Sequence, residues 1–213
     1  MQIHGDFTQS SALIQSDFDN FQKLFNYSKL KGNSLMSSSL KKSFAGLKQK
    51  IAALEKEAKG STALGPGLIC ALGLASQTPG SRVILCTDGL ANVGLGSFNG
   101  INADNYAKAF YDQVADVAVA NGVSVSIITV KGNVCRVDAL GPLTDKTGGT
   151  ITRVDPSDLD LSDVASNNII ATNVHLKVIM HEALTFQNED NGNLHNNKSI
   201  LTKNVGSVTE SNE

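Results

Sequence analysis

Two oxygen-bearing side chains stand where a sheet would offer them to a ligand. Thr62 lies in GSTALGPGL (60–68), just ahead of an apolar helical run. Asp88 ends SRVILCTD (81–88), where a β-branched run gives way to a loop rich in glycine and asparagine. In open α/β sheets, ligands occupy the crevice beyond the carboxyl ends of the strands. A hydroxyl before a helix and a carboxylate at the next strand end would meet on one such edge. One neutral and one anionic oxygen suit a hard cation, and Mg2+ takes oxygen ligands while keeping several waters. A plainer reading stands beside this one, in which Thr62 is a helix N-cap and Asp88 a turn former.

The elements that must position these residues follow from patterning. SRVILCTD and GVSVSIITVKG (122–132) are apolar through most of their length, as strands covered on both faces are. Between them, Tyr106, Phe110, Val114 and Val117 mark one face of a helix over 102–121. Asn102 or Asp104 can cap its start, and Asn121-Gly122 offers a left-handed stop. Strand, helix, strand is a right-handed crossover unit. CRVDALGPLTDKTGG (135–149) then predicts a short helix ending at Gly148-Gly149, and TITRVD a short strand. PSDLDLSDVASNNI (156–169) predicts another helix. Upstream, Leu40, Phe44, Leu47, Ile51 and Leu54 predict an amphipathic helix, and DFDNFQKLFNYSKL (17–30) is a weaker helix candidate. The expected fold class is therefore α/β: a doubly wound, mostly parallel sheet with helices on both faces.

After about residue 171 the pattern changes. Val174, Leu176, Val178 and Met180 alternate with His175, Lys177, Ile179 and His181, the mark of a half-exposed antiparallel strand. We expect one unit over 1–170 and the start of an antiparallel β module over 171–213, with a polar, asparagine-rich tail except for SILTKNVGSV.

Composition narrows the function classes. Hydrophobic residues make up 41% and charged residues 18%, which is globular rather than disordered. A net charge of -2, with no basic block, removes the basis for general nucleic-acid binding and for a polybasic membrane anchor. Three cysteines (Cys70, Cys86, Cys135) without paired spacing read as reduced thiols, so a cytoplasmic setting is expected. No apolar run is long enough to span a bilayer as a helix. Gly60 and Gly65 have phosphate-loop spacing, but Pro66-Gly67 stand where Lys and Ser/Thr are needed. No G-x-S-x-G elbow occurs, and His4, His175, His181 and His195 show no ligand spacing. On these grounds the chain is expected not to be an enzyme.

GSTALGPGL followed by PGSRVILCTDGLANVGLG (79–96) resembles the second and third segments of a von Willebrand factor A-type domain. That resemblance implies a Rossmann-like sheet and assigns Thr62 and Asp88 to a metal-ion-dependent adhesion site. TDGLANVGLGS, then KG-x-x-C, TGG and ATNV-x-L-K-V, resembles more narrowly the A-type domain of circularly permuted Ras proteins. Those proteins are similar to the inner COPII coat subunits in joining a trunk-like A domain to a β-sandwich. The likeness spans about 38–185. It implies a non-enzymatic protein-interaction module whose Mg2+ is completed by a partner's acidic residue, or alternatively a metal-free scaffold of a larger Ras-like GTPase or coat-like protein. The family's first strand, ending in D-x-S-x-S, has no clear counterpart. Asp6, Thr8 and Ser10 read as a degenerate version, or MQIHGD as the family's edge strand. The chain is thus expected to begin partway into the domain, with weak stability and poor metal binding unless another strand is supplied.

Overall fold

The computed structural model describes residues 2–4, 10–12, 15–35, 51–53, 60–87, 90–130, 136–155 and 169–210. Strands β1 (Gln2–His4) and β2 (Ser10–Ala12) pair antiparallel in a sheet of their own. Among the described residues this first strand pairs with residues 10–12 and not with the parallel sheet, so it does not stand as that sheet's edge. Helix α1 (Phe21–Leu35) follows and packs along α2 (Leu64–Ala75). The weak helix candidate at 17–30 is real and extends to Leu35. Buried Leu24 and Phe25 carry it against α2. Of the two other predicted helices, the one over 39–58 is described only at the turn 51–53, and 156–168 lies outside the described residues.

The parallel sheet runs β3 (Arg82–Thr87), β4 (Ser124–Val130), β5 (Ile151–Val154), in that spatial order. Register is regular, from Arg82↔Ser124 to Thr87↔Thr129 and from Ile127↔Ile151 to Val130↔Val154. Two crossovers link the strands, α3 (Ala103–Ala120) and α4 (Val137–Thr147). The α/β class is as the alternation of patterns predicts. Val83, Val125 and Ile127 share one core cluster with Leu68, Ile69 and Leu72 of α2, Tyr111 and Val114 of α3, and Leu140 and Leu143 of α4. Ile128 and Val154 form a second cluster on the opposite face.

The predicted face of α3 holds at Phe110, Val114 and Val117 but not at Tyr106. Tyr106 is 56% exposed, whereas Ala107, Phe110, Tyr111, Val114, Ala115 and Ala118 are buried. Alanines let the helix approach closely, and Tyr111 turns inward because its hydroxyl finds the Gly96 carbonyl at 3.1 Å. Asn102 precedes the helix in a left-handed conformation and makes no side-chain cap. Gly122 supplies the predicted left-handed stop.

The second module is an antiparallel sheet in the order β6 (Ile169–Ile179), β8 (Ile200–Thr209), β7 (Leu194–His195). It meets the α/β layer along a backbone seam. A Cβ on Gly148 would lie 2.0 Å from the Ser207 carbonyl oxygen, and one on Gly206 would lie 2.2 Å from that of Lys146. Both glycines have φ in the left-handed region, +69° and +77°, so only glycine fits this contact without strain. Among the described residues no helix is long and apolar enough to cross a membrane.

Candidate functional site

The loop before α2 is held by backbone rather than by a cap. Ala63, not Thr62, is the N-cap of α2, and it makes no side-chain cap hydrogen bond. The N-cap reading of Thr62 is thereby corrected. Its amide instead donates to Asn92 Oδ1 at 2.7 Å. Its carbonyl accepts from the amides of Asn92 at 3.0 Å and Val93 at 3.3 Å. Three bonds fix the Thr62 backbone while its side chain stays exposed.

Asn92 belongs to the loop that leaves β3, and that loop is itself closed. Asn99 Nδ2 donates to the Asn92 carbonyl at 2.9 Å, and the Phe98 amide to that of Ala91 at 2.9 Å. Leu95 passes so near α2 that a Cβ on Gly65 would meet its carbonyl oxygen at 2.0 Å. Close packing thus explains Gly65 of GSTALGPGL, and Gly94 and Gly96 likewise leave no room for a Cβ, against Pro66 and Phe18 and against Phe110 respectively.

Strand β3 is described to Thr87, a buried residue opposite Thr129. Asp88 lies outside the described residues, as do Asp6, Thr8 and Cys135. Ser10 falls in β2, away from the parallel sheet. The described geometry therefore brings Thr62 to the loop that begins after Asp88, at the carboxyl end of β3. An exposed hydroxyl on a fixed backbone fits one oxygen position of a hard cation. The positive end of the α2 dipole opposes a cation there, so an anionic ligand is needed to offset it. Among the described residues no three His, Cys, Asp or Glu side chains converge.

A second polar group at this rim escaped the sequence reading. The Arg136 guanidinium reaches Asp138 through Nε–Oδ1 and Nη2–Oδ2, both 3.1 Å, and Asp104 Oδ1 through Nη1 at 2.7 Å. It also lies over the Phe98 ring, 5.5 Å from the centroid. The hydrogen bonds to Asp138 and then Asp104 hold the guanidinium above its usual range. That from Arg136 draws the Asp138 carboxyl below its ordinary value. These contacts tie the starts of α3 and α4 to the loop after β3. Arg136 and Asp138 are two residues apart, but Asp104 is distant in sequence, so only folding reveals the group.

No family model matches the chain. It is 35% identical over 146 residues to "Circularly permutated Ras protein 1" of Dictyostelium discoideum. That match covers 68% of this chain and 17% of the relative, so the chain spans about a sixth of that protein's length. Among solved structures, the human COPII-coat protein Sec24c matches 46% of this chain and 15% of its own, at 18% identity and a TM-score of 0.38. The first match runs against the expectation that this chain is not an enzyme, because the relative is by name a Ras protein and Ras proteins hydrolyse GTP.

Proposed function

We propose that this chain is a protein-association module of a larger Ras-like GTPase. In this reading 1–170 forms an A-type sheet and 171–213 opens a β-sandwich. The observation that carries it is the 35% identity with a circularly permutated Ras protein. Fixation of Thr62 by Asn92 at the carboxyl end of β3 supports placing the association site at that rim. Thr62 and Asp88 are the residues that would hold Mg2+. The ion, when bound, supplies an open coordination position for a partner's carboxylate. Thr62 contributes a neutral oxygen, which leaves the ion electrophilic. Asp88 contributes the charge that offsets the α2 dipole.

A second reading, a metal-free scaffold of the same parent, draws support from the glycine seam. Gly148 and Gly206 set the two modules in close contact, as a multi-module trunk requires.

Isothermal calorimetry of Mg2+ binding tests the two. The association reading predicts a heat of binding that disappears in Asp88→Ala and weakens in Thr62→Val. A wild-type chain that is folded and gives no heat overturns the metal reading and leaves the scaffold.

A further inference from the structure

We propose that Asn191 is a site of spontaneous deamidation, in which the Gly192 amide nitrogen attacks the Asn191 side chain and the Asp190 carboxylate takes its proton. An Asn-Gly pair is prone to this reaction, because glycine leaves the attacking nitrogen uncrowded and its backbone free to turn. The sequence holds three such pairs, Asn99-Gly100, Asn121-Gly122 and Asn191-Gly192. The fold treats them differently. Asn121 closes the end of α3, where its Nδ2 donates to the Val117 carbonyl at 2.8 Å and the Gly122 amide to that of Val119 at 2.9 Å. Leaving group and nucleophile are both tied there, and Gly122 is buried. Asn99 is exposed, but its Nδ2 donates to the Asn92 carbonyl at 2.9 Å, within the closed loop that holds Thr62.

Asn191 has neither restraint. It is exposed, and among the described residues its side chain makes no hydrogen bond. It begins a single 3-10 turn, Asn191–Asn193, that buries no residue. Such a turn opens at little cost, which lets the Asn191 Cγ come round to the Gly192 nitrogen. The Gly192 amide donates to Asp190 Oδ1 at 3.0 Å, the distance at which a general base removes a proton. The N–Cγ bond forms, the Cγ–Nδ2 bond breaks, and the proton passes to Nδ2, which leaves as ammonia. Water then opens the resulting succinimide at either carbonyl, giving aspartate or isoaspartate and a new negative charge beside Asp190. In the isoaspartyl product the main chain runs through the former side chain and gains a methylene. That insertion falls directly ahead of β7, which pairs with β8 at Leu194↔Leu201. The modification therefore loosens β7 and leaves the parallel sheet intact.

Peptide mapping by mass spectrometry tests this on the full chain, incubated at mildly alkaline pH both folded and in denaturant. In the folded chain Asn191 should convert first, to a mixture whose isoaspartyl part an isoaspartyl methyltransferase labels. Asn99 and Asn121 should lag by about tenfold or more, since each must wait for its hydrogen bonds to open. In denaturant the three rates should converge. Asp190→Ser keeps a capping oxygen but removes the base, and should slow Asn191 more in the folded chain than in denaturant. Conversion of Asn99 or Asn121 as fast as Asn191 in the folded chain overturns the proposal. So does an Asn191 that stays an amide there while the denatured chain converts, or an Asp190→Ser rate equal to that of the wild type.

Discussion

At the scale of single residues, the rim depends on how Thr62 is held. Asn92 accepts the Thr62 amide through its side chain and donates its own amide to the Thr62 carbonyl. Asn92→Ala removes the first bond and keeps the second, at a cost of about 0.5–1.5 kcal/mol in denaturant melts. Asn92→Asp retains the acceptor and should recover most of that loss. Arg136 offers a pH-dependent test. Its hydrogen bonds depress the folded-state pKa of Asp138 below the unfolded value. The stability this contributes is fully present above the ordinary Asp range and is lost as pH falls through the depressed folded value. The group is exposed, so the effect is small. Carboxyl NMR should nevertheless place the Asp138 midpoint below that of an ordinary aspartate and return it there in Arg136→Met. Thr62 and Asp88 stand out as candidates in the sequence because each closes a local pattern, a small-residue loop before a helix and a carboxylate after an apolar strand. Asn92 does not. Its partner is thirty residues away, and an asparagine in a glycine-rich loop looks like any turn residue.

At the scale of elements, patterning located β3, β4, β5, α3 and α4 to within about two residues, because each is bounded by glycine or asparagine and carries a strong apolar run. On α3 it placed Phe110, Val114 and Val117 against the core but wrongly added Tyr106, and it missed Ala107, Ala115 and Ala118, whose value is closeness rather than hydrophobic area. A strand within MQIHGD was read, but its pairing with β2 was not, since a three-residue strand leaves no periodicity to read. The seam of Gly148 and Gly206 is the element-level feature most open to test. Gly206→Ala adds a Cβ 2.2 Å from the Lys146 carbonyl oxygen at a φ of +77°. Overpacking and left-handed strain together should cost about 2–4 kcal/mol. For a domain of this size that is a melting-temperature drop of about 2–4 °C per kcal/mol. Gly192→Ala, where a Cβ meets nothing nearer than 3.7 Å, is the matched control and should change little.

At the scale of the whole molecule, the two ends of the parallel sheet have different neighbours. Thr172 of β6 packs beside Gly80 and Gly122, which precede β3 and β4. The antiparallel module therefore meets the amino ends of these strands, whereas Thr62 and the 91–99 loop lie at the carboxyl end. Thiol chemistry reports this arrangement. Cys70 is buried in α2, and burial pushes its thiol pKa up, while Cys86 is exposed on the outer strand β3. Mass spectrometry after brief alkylation should find Cys86 modified and Cys70 protected until the chain is unfolded. Equal labelling of both would mean that α2 is not packed as described.

The most direct measurement of the central claim is paramagnetic broadening of amide resonances by Mn2+ added in place of Mg2+. Signals of Thr62, Asp88 and the 90–93 loop should broaden first, those near Gly148 and Gly206 should not, and Asp88→Ala should abolish the effect. Broadening confined to other residues, or none at residues 62 and 88 while the chain remains folded, would contradict that claim.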